Sequence, residues 1–261
     1  MKGIIDKSKW IGKEVHSYDC IDSTNLEAKR LAEENAPHGT VIMAKEQTSG
    51  RGRRGRSWES LSGDSLLMSV ILRPTIPPEK TSMLTLVQAL SVRRAIYRLT
   101  GLEPLIKWPN DLVIQGKKIC GILTELQLKE RKTDFVVIGT GVNVNQTSFL
   151  GELENMATSL FQENVGEQIE ISELMEEICL AFEEYYDKFM EAGDLSLLQE
   201  EYNSYLINKE RQIKVLDPSG EYEAKALGIN SKGELLVETK EKNILNVYAG
   251  EVSVRGVYGY V

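Results

Sequence analysis

The sequence contains few of the residues that build disulfide frameworks and histidine-based catalytic centres. Its 261 residues include three cysteines and two histidines. Cys20, Cys120 and Cys179 form no C-x-x-C pair, which is typical of reduced thiols. His16 and His38 give a histidine zinc site or a Ser-His triad little to build on. The composition therefore argues against a disulfide scaffold, a histidine zinc centre and a serine hydrolase.

Long apolar runs are also missing. No window approaches the roughly 18 uncharged apolar residues of a membrane helix, and residues 1–6 do not resemble the start of a signal peptide. We therefore expect a cytoplasmic protein without a membrane partner. The formal net charge of -8 argues against a nucleic-acid surface over the whole molecule, although a local basic groove stays possible. The length suits one large domain, or a main domain with an appendage.

Positive charge is concentrated in residues 50–58, which read Gly-Arg-Gly-Arg-Arg-Gly-Arg-Ser-Trp. Glycine lets a backbone approach a ligand closely, and each guanidinium offers a planar fork for phosphate or carboxylate. The spacing nearly fits a Rossmann loop and a P-loop, but residues 58–64 are turn-like rather than helical, so we reject both. A kinase loop is excluded because no H-R-D or D-F-G follows. A solvated surface loop and an anion-binding loop remain.

A polar triplet, Ser23, Thr24 and Asn25, precedes a stretch with helical apolar spacing. Thr24 followed by Glu27 has the spacing of a capping box, so these residues are candidates for simple N-capping. Hydroxyl and amide groups at a helix start would equally suit a small polar ligand such as a urea or a carboxylate. The neighbouring residues leave both interpretations open.

A second polar cluster lies within residues 106–125. Apolar runs on both sides of Pro109-Asn110-Asp111 and of Gly116-Lys117-Lys118 predict a strand, a turn, a strand, a tight hairpin and another strand. Taken singly, these are ordinary turn residues. Together they bring a carboxylate, an amide and two lysines to neighbouring strands of what is expected to be one sheet face.

Residues 135–145 predict a strand that becomes glycine-rich and then alternates valine with asparagine. Asn143 and Asn145 share one face of that extended segment. Buried asparagines are costly unless they are hydrogen-bonded, so the pair either braces loops or reads a polar ligand edge such as a nucleobase. Further predicted elements, set out here in chain order, are strands over 40–45 and 65–72 and a helix over 80–99.

Taken in order, these motifs resemble those of biotin protein ligases, over about residues 18–261. The matching stretches are Ser23-Thr24-Asn25, Gln47, the arginine run and residues 107–111, 116–123 and 141–145. The resemblance implies an α+β fold: a mixed-sheet catalytic domain of the biotin/lipoate ligase type, class II synthetase-like, over 1–209, followed by a small SH3-like β-barrel over 210–261. Helices predicted over 172–191 and 195–209 and strands over 212–217, 222–229, 234–238 and 243–255 suit that division.

The family resemblance also implies a reaction. The carboxylate of biotin attacks the α-phosphate of ATP to give biotinyl-5′-adenylate and pyrophosphate, and the acyl group then passes to a lysine of a biotin carboxyl carrier protein. Biotin and ATP are the expected substrates, Mg²⁺ arrives with ATP, and no metal site of the protein's own is expected. At an effective dielectric constant of about 20, two unit charges about 4 Å apart repel by about 4 kcal/mol. Clustered cations would offset that repulsion, and a glycine-hinged loop would shield the adenylate from water.

Residue-by-residue matching to the family implies three overlapping groups. The catalytic group is Lys118, Arg53 and Asp111, with Lys118 bridging carboxylate and α-phosphate oxygens and Asp111 orienting Lys118 or the incoming amine. The biotin-binding group is Ser23, Thr24, Asn25, Gln47, Arg51, Gly52, Arg53, Lys118 and Gly121. The ATP-binding group is Arg51, Arg56, Trp58, Lys107, Asn110 and Asn143.

Two alternatives from the same residues are a lipoate ligase and a nucleic-acid-binding module that uses residues 51–56 as a basic finger. The sequence lacks the Arg-Arg-x-x-Gly-Gly-Gly run expected of a lipoate ligase. Many bacterial relatives carry an N-terminal winged helix-turn-helix, and only about twenty residues precede Ser23, so we expect a ligase without operator binding or a nucleic-acid partner. A homodimer stays open. Cys120 replaces a small apolar residue of relatives, and a reactive thiol near the site is a further expectation.

Overall fold

The computed structural model describes residues 2–58, 63–151, 153–217, 220–249 and 253–256, which form two β-sheets and six α-helices. The strands of the first sheet are β1 (Lys2–Gly3), β2 (Val15–Ile21), β3 (Val41–Gln47), β4 (Ser65–Leu72), β5 (Leu105–Lys107), β6 (Asp111–Ile114), β7 (Lys117–Lys129) and β8 (Lys132–Asn143). The strands of the second are β9 (Gln212–Asp217), β10 (Gly220–Ile229), β11 (Leu235–Glu238), β12 (Ile244–Val247) and β13 (Ser253–Gly256). The helices are α1 (Thr24–Glu33), α2 (Met83–Thr100), α3 (Leu153–Met156), α4 (Leu160–Glu163), α5 (Ile171–Ala192) and α6 (Gln199–Tyr205).

The first sheet is mixed and has the strand order β1-β2-β3-β4-β8-β7-β6-β5. β2 and β3 run parallel, and the other neighbouring pairs are antiparallel. All eight residues of β4 are buried, because helices cover both faces of the sheet at that point. α1 packs on one face against Ile42, Ile71 and Phe135, and α2 and α5 pack on the other. The larger half of the molecule is therefore a three-layer structure, and its central sheet is mixed, as predicted.

Three glycines create a hollow on the α1 face of this sheet. Gly121 on β7 pairs directly with Gly141 on β8, and Leu123 pairs with Gly139. Alternate residues of a strand share a face, so these glycines lie on the same face as Val137, which packs against α1. With no side chains at three neighbouring positions, the sheet leaves room beside the first turn of α1.

The second sheet is antiparallel throughout and has the order β12-β11-β10-β9-β13. The single strand predicted over 243–255 is wrong: it is two strands, β12 and β13, at opposite edges of the sheet, and residues 250–252 between them lie outside the described residues. Within the described residues β12 and β13 do not pair, so the closed barrel stays a prediction. The turns predicted at 58–64 and 218–220 also fall largely outside the described residues.

The second sheet packs against the first through Trp108. This side chain is 1% exposed, and its Nε1 donates to the Gly233 carbonyl at 3.1 Å. Leu195 donates its backbone N–H to the Ser231 carbonyl at 2.8 Å, and Ile207 donates to the Ile106 carbonyl of β5 at 2.9 Å. The chain on both sides of α6 is thus bonded to other segments, and α6 is shorter than the predicted helix. None of the helices in the described part of the chain has the length and apolar character needed to cross a bilayer.

Candidate active site

The glycine hollow opens into a cavity of about 130 Å³. A Cβ atom at Gly139 would lie 2.1 Å from Asn25 Oδ1, and one at Gly141 would lie 2.6 Å from Trp58 Cε2. Glycine is therefore required here by close approach of side chains from α1 and from the arginine loop. The hollow is a built feature of the two strands.

Almost all predicted site residues meet around this cavity. Those lining it are Ser23, Thr24, Asn25, Gln47, Arg51, Gly52, Arg53, Arg56, Trp58, Lys107, Asn110, Asp111, Lys118 and Gly121. Asn143 is the exception, and it lines an adjoining cavity that shares Arg56, Trp58 and Lys118 with the first. Elements far apart in sequence thus converge on one place, as the sequence predicted.

The polar triplet forms an uncharged end of the cavity. Ser23, Thr24 and Asn25 are buried, at 2%, 4% and 3% exposure. Gln47 Oε1 accepts hydrogen bonds from Thr24 N at 2.7 Å and from Thr24 Oγ1 at 3.1 Å. The predicted capping box is wrong: Thr24 is the first helical residue, and Ser23 precedes it without a side-chain cap. Glu27 instead accepts from Tyr18 and Arg30, because Gln47 at the end of β3 has taken the backbone donor.

Two residues that the sequence analysis missed lie behind this end. Ser69 Oγ is 2.6 Å from Asn25 Oδ1 and 2.8 Å from Thr24 Oγ1. Glu125 accepts from Asn25 Nδ2 at 2.8 Å, from Lys29 Nζ at 2.6 Å and from Arg51 at 3.2 Å. For Ser69 the available signal was a polar residue within the mostly apolar run of β4. Glu125 lies on a strand with several other polar residues, so its sequence context carried no such signal.

The carboxyl group of Glu125 is charged at neutral pH. Burial raises its pKa, but the hydrogen bonds from Lys29 and Asn25 and the positive charges of Lys29 and Arg51 outweigh burial, so the pKa lies below its ordinary value. A partly buried anion therefore lies between the polar end of the cavity and the arginine loop.

The arginine loop folds back on itself as a hairpin. Trp58 N donates to the Gly50 carbonyl at 3.0 Å, and Gly52 N donates to the Arg56 carbonyl at 2.7 Å. The tip is a 3-10 turn over Arg53–Gly55, in which Arg54 and Gly55 have φ of 58° and 72°. Glycine adopts such left-handed backbone without strain. The loop is therefore an ordered flap over the cavity and not a solvated coil.

Arg53 fastens that flap at two points. Its guanidinium donates to Asn110 Oδ1 at 2.9 Å and to the Ala249 carbonyl of the second sheet's last loop at 2.8 Å. Burial lowers the pKa of Arg53 from its ordinary value, but that value is so high that the group stays charged. Arg54 and Arg56 are exposed.

Trp58 places its indole ring over the glycine hollow, between the two ends of the cavity. Atoms of the ring lie within 3 Å of where Cβ atoms of Gly121 and Gly141 would be. Lys118 Nζ is 5.6 Å from the ring centroid, within range of a cation–π interaction. The indole Nε1 is buried and has no hydrogen-bond partner among the described residues, so it is available to donate to a ligand.

The opposite end of the cavity is cationic. Lys118 Nζ contacts Asp111 Oδ1 at 2.7 Å, and Asn110 Nδ2 donates to the same oxygen at 3.1 Å. Lys107 is 5% exposed, and burial lowers its pKa to about 8, with Asp111 acting in the opposite direction. Asp111 is the one acidic side chain among the described residues lining the cavity. This end is built to receive anions.

The asparagines at the end of β8 brace loops, which was one of the two interpretations. Asn143 Nδ2 donates to the Thr158 carbonyl at 3.0 Å. Asn145 exchanges two hydrogen bonds of 3.0 Å with the backbone of Ile169. A nucleotide contact of Asn143 stays a prediction.

The reactive thiol expected at Cys120 is wrong, because the side chain is fully buried and burial raises its pKa far above the ordinary value. Arg255 on β13, which the site prediction omitted, lines both cavities. Within the described residues no group of three or more histidine, cysteine, aspartate or glutamate side chains converges to hold a metal ion.

Comparison with known proteins gives a consistent result across sequence and structure. Residues 17–143 match the model of the "Biotin/lipoate A/B protein ligase family", and residues 210–255 match that of the "Biotin protein ligase C terminal domain". The chain is 42% identical over 252 residues to the "Bifunctional ligase/repressor BirA" of Bacillus spizizenii, which covers 95% of this chain and 76% of that protein. It is 35% identical over 149 residues to the "Biotin--[acetyl-CoA-carboxylase] ligase" of Mycobacterium tuberculosis, covering 55% of this chain and 53% of that protein.

Among solved structures, the fold is similar to the "Biotin protein ligase from Aquifex aeolicus in complex with biotin and ATP". The TM-score is 0.81 and the sequence identity is 31%, with 93% of this chain and 98% of that chain covered. The similarity includes both sheets, because it spans nearly the whole length of each protein.

Proposed function

Because the chain belongs to the biotin protein ligase family, we propose that it attaches biotin to a lysine of a biotin carboxyl carrier protein in two steps driven by ATP. The single observation that carries this proposal is the polarity of the cavity. An uncharged hydrogen-bonding end at Thr24 and Gln47 and a cationic end at Lys107 and Lys118 lie in one cavity. Biotin has a neutral ureido ring at one end and a carboxylate at the other.

In the first step a biotin carboxylate oxygen attacks the α-phosphorus of ATP. A new P–O bond forms, the bond to the leaving pyrophosphate breaks, and biotinyl-5′-adenylate results. Cations must offset the mutual repulsion of the reactants, which is about 4 kcal/mol for unit charges about 4 Å apart at a dielectric constant of about 20. Lys118, held by Asp111 at 2.7 Å, and the buried Lys107 are placed for this role, with Arg53 and Arg56 nearby.

ATP enters as its magnesium complex, and the donor set fits that form. Mg²⁺ keeps several waters and is usually held by one or two carboxylates together with phosphate oxygens. Asp111 supplies the one carboxylate at the cationic end, and because its Oδ1 is paired with Lys118 at 2.7 Å, the triphosphate and water would supply most of the magnesium ligands. Magnesium there would contribute further charge neutralisation of the triphosphate.

In the second step the ε-amine of the acceptor lysine attacks the acyl carbon of the adenylate, an amide forms, and AMP leaves. The mixed anhydride must be kept from water until the lysine arrives. The hairpin flap over residues 50–58, fastened by Arg53 to both sheets, supports a shielding role. We assign Asp111, at the same end, the role of orienting Lys118 or the incoming amine, which its 2.7 Å contact with Lys118 supports.

The proposal is tested by pyrophosphate release that depends on added biotin, followed by mass spectrometry of a carrier domain incubated with ATP and either biotin or lipoate. A mass increase corresponding to biotin is expected. Lipoyl addition without biotinyl addition would overturn the assignment in favour of the lipoate ligase.

Finer features belong to the same proposal. Residues 1–209 form the catalytic domain and 210–261 a small SH3-like barrel in a cytoplasmic protein. A β-bulge between Ala226 and Gly228 on β10 supports curling of the second sheet, since bulges increase bending and twist. The arginine loop serves the cavity and not a nucleic acid, which the anchoring of Arg53 supports. Tight, salt-sensitive nucleic-acid binding lost on neutralising Arg54 and Arg56 would favour the alternative.

A further inference from the structure

The hydrogen-bond chain behind the polar end has only one consistent direction. It starts at Glu125, whose ionised carboxylate can only accept. Asn25 Nδ2 faces that carboxylate at 2.8 Å and the Leu123 carbonyl at 3.3 Å. Both neighbours are acceptors, so the NH₂ group of the Asn25 amide must point to them. Its carbonyl oxygen Oδ1 therefore points to Ser69.

The next two groups in the chain, the hydroxyls of Ser69 and Thr24, can each donate one proton. Ser69 Oγ is 2.6 Å from Asn25 Oδ1, and that oxygen can only accept, so the Ser69 proton goes there. Ser69 Oγ can then only accept from Thr24 Oγ1, 2.8 Å away. Thr24 has one further acceptor nearby, Gln47 Oε1 at 3.1 Å. Whichever of the two it favours, the Thr24 proton is committed inside the protein, and its oxygen offers a ligand in the cavity only a lone pair.

The orientation of the Gln47 side-chain amide is also fixed. Its Oε1 already accepts the backbone N–H of Thr24 at 2.7 Å, so the amide NH₂ is the end that remains to be offered. An acceptor at Thr24 beside a donor at Gln47 matches a ligand group in which N–H and C=O are adjacent. A cyclic urea has that arrangement.

We propose that Glu125 is a positioning residue whose negative charge fixes the direction of the Asn25–Ser69–Thr24 chain, and that this direction makes the cavity select a ligand N–H at Thr24. This inference rests on the proposed function, because it takes the ureido ring of biotin as the group recognised. Glu125 acts through Asn25 and Ser69, which separate it from Thr24. The same carboxylate holds Arg51 at 3.2 Å, so the selecting end and the arginine loop share one anchor.

Removal of the Glu125 charge allows donor and acceptor to exchange in each hydrogen bond of the chain. In Glu125→Gln the new amide can turn its NH₂ toward Asn25, and the Asn25 amide can turn over to accept from it, with loss of only the longer 3.3 Å bond to the Leu123 carbonyl. Ser69 then accepts from Asn25 and donates to Thr24, so the Thr24 proton no longer goes to Ser69. A ligand acceptor competes for that proton only with Gln47 Oε1, whose 3.1 Å contact is the longer of the two. The variant keeps the shape of the site but loses the requirement for a ligand N–H.

The test compares biotin with its two cyclic carbamate isomers, each with one ureido N–H replaced by oxygen, using biotin-dependent pyrophosphate release. In the wild type we expect kcat/KM for at least one isomer to be lower by about tenfold or more, since a hydrogen bond is replaced by two facing acceptors. In Glu125→Gln the ratio of kcat/KM for biotin to kcat/KM for that isomer is expected to fall to about threefold or less. Ser69→Ala, which interrupts the chain while Glu125 stays, is expected to do the same.

Glu27→Gln is the matched control. The Glu27 side chain is 18% exposed, against 16% for that of Glu125, and it pairs with Arg30, which does not line the cavity. It should keep the wild-type ratio. Equal losses on biotin and on both carbamates in Glu125→Gln, with the ratio unchanged, would show a merely structural role and overturn the inference, as would unchanged discrimination in Ser69→Ala. Absence of biotin-dependent pyrophosphate release in the wild type would instead overturn the proposed function.

Discussion

Replacing Lys118 by methionine removes one charge from the cationic end of the cavity while keeping most of the side chain's length. Lys118 Nζ is 2.7 Å from Asp111 Oδ1, and its side chain is 29% exposed. In the variant the Asp111 carboxylate faces the incoming anions without its ammonium partner, although Asn110 still donates to it at 3.1 Å. The positive field at the reacting centre is therefore weakened, because the Asp111 charge is no longer offset by its ammonium partner.

The size of the effect follows from Coulomb's law. A unit cation about 4 Å from a reacting oxygen contributes about 4 kcal/mol at a dielectric constant of about 20. Solvent screening of a partly exposed group reduces this to roughly 2–3 kcal/mol, which corresponds to a rate loss of roughly 30- to 150-fold. Biotin affinity should fall far less than the rate, because the ureido ring keeps its contacts at the other end and the extra negative charge at the reacting centre develops only in the transition state.

Single-turnover pyrophosphate release at saturating biotin and ATP measures the rate, and calorimetry measures biotin affinity. Lys117→Met is the control, because Lys117 is exposed and its side chain lies on the opposite face of β7. A comparable rate loss in Lys117→Met would refute the reasoning. So would a loss of biotin affinity as large as the loss of rate.

Three further predictions concern the flap, the buried lysine and the glycine hollow. Arg53→Gly removes the two anchoring hydrogen bonds of the flap, so some adenylation should persist while bystander lysines become labelled; mass spectrometry that finds labelling confined to the acceptor lysine would contradict this. Burial lowers the pKa of Lys107 to about 8, so its charge is lost as pH rises through 8, and KM for ATP should increase between about pH 7 and 9 in the wild type but not in Lys107→Arg. Since the ordinary pKa is 10.5, the unfolded chain binds more protons between about pH 8 and 10.5, and the Lys107 contribution to the free energy of unfolding should rise over that window in denaturant titrations. Gly139→Ala places a Cβ 2.1 Å from Asn25 Oδ1, and biotin titrations should show affinity falling by about tenfold or more while ATP affinity changes little; an equal fall for both would point to general unfolding of the site.

Local sequence patterns predicted the elements in which the apolar residues of the element itself determine which face is buried. The eight-residue apolar run of β4 and the six residues of β9 match their predicted bounds, and the apolar stripe of α5 predicted its length to within a residue at each end. The clustering of loop residues around one cavity was predicted from their resemblance to a family and not from spacing alone.

What could not be predicted depends on neighbours distant in the chain. Asn25 meets Ser69 and Glu125 across sequence separations of 44 and 100 residues, and only the strand order β4-β8-β7 brings them together. The same applies to Thr24, whose spacing to Glu27 favours a capping box but whose backbone donor goes to Gln47. Residues 243–255 contain Gly250 as a local sign of a break, but nothing in their sequence indicates that the strands on either side of it lie at opposite edges of the sheet.

The bond from Arg53 to the Ala249 carbonyl joins the catalytic flap to a different sheet from the one it covers. In the proposed shielding role, closure of the flap therefore depends on both halves of the molecule, and we expect a substitution in the C-terminal half that displaces this one carbonyl to loosen the flap without touching the cavity. Substitutions in the smaller half would in this way change how long the adenylate is retained before acyl transfer to the acceptor.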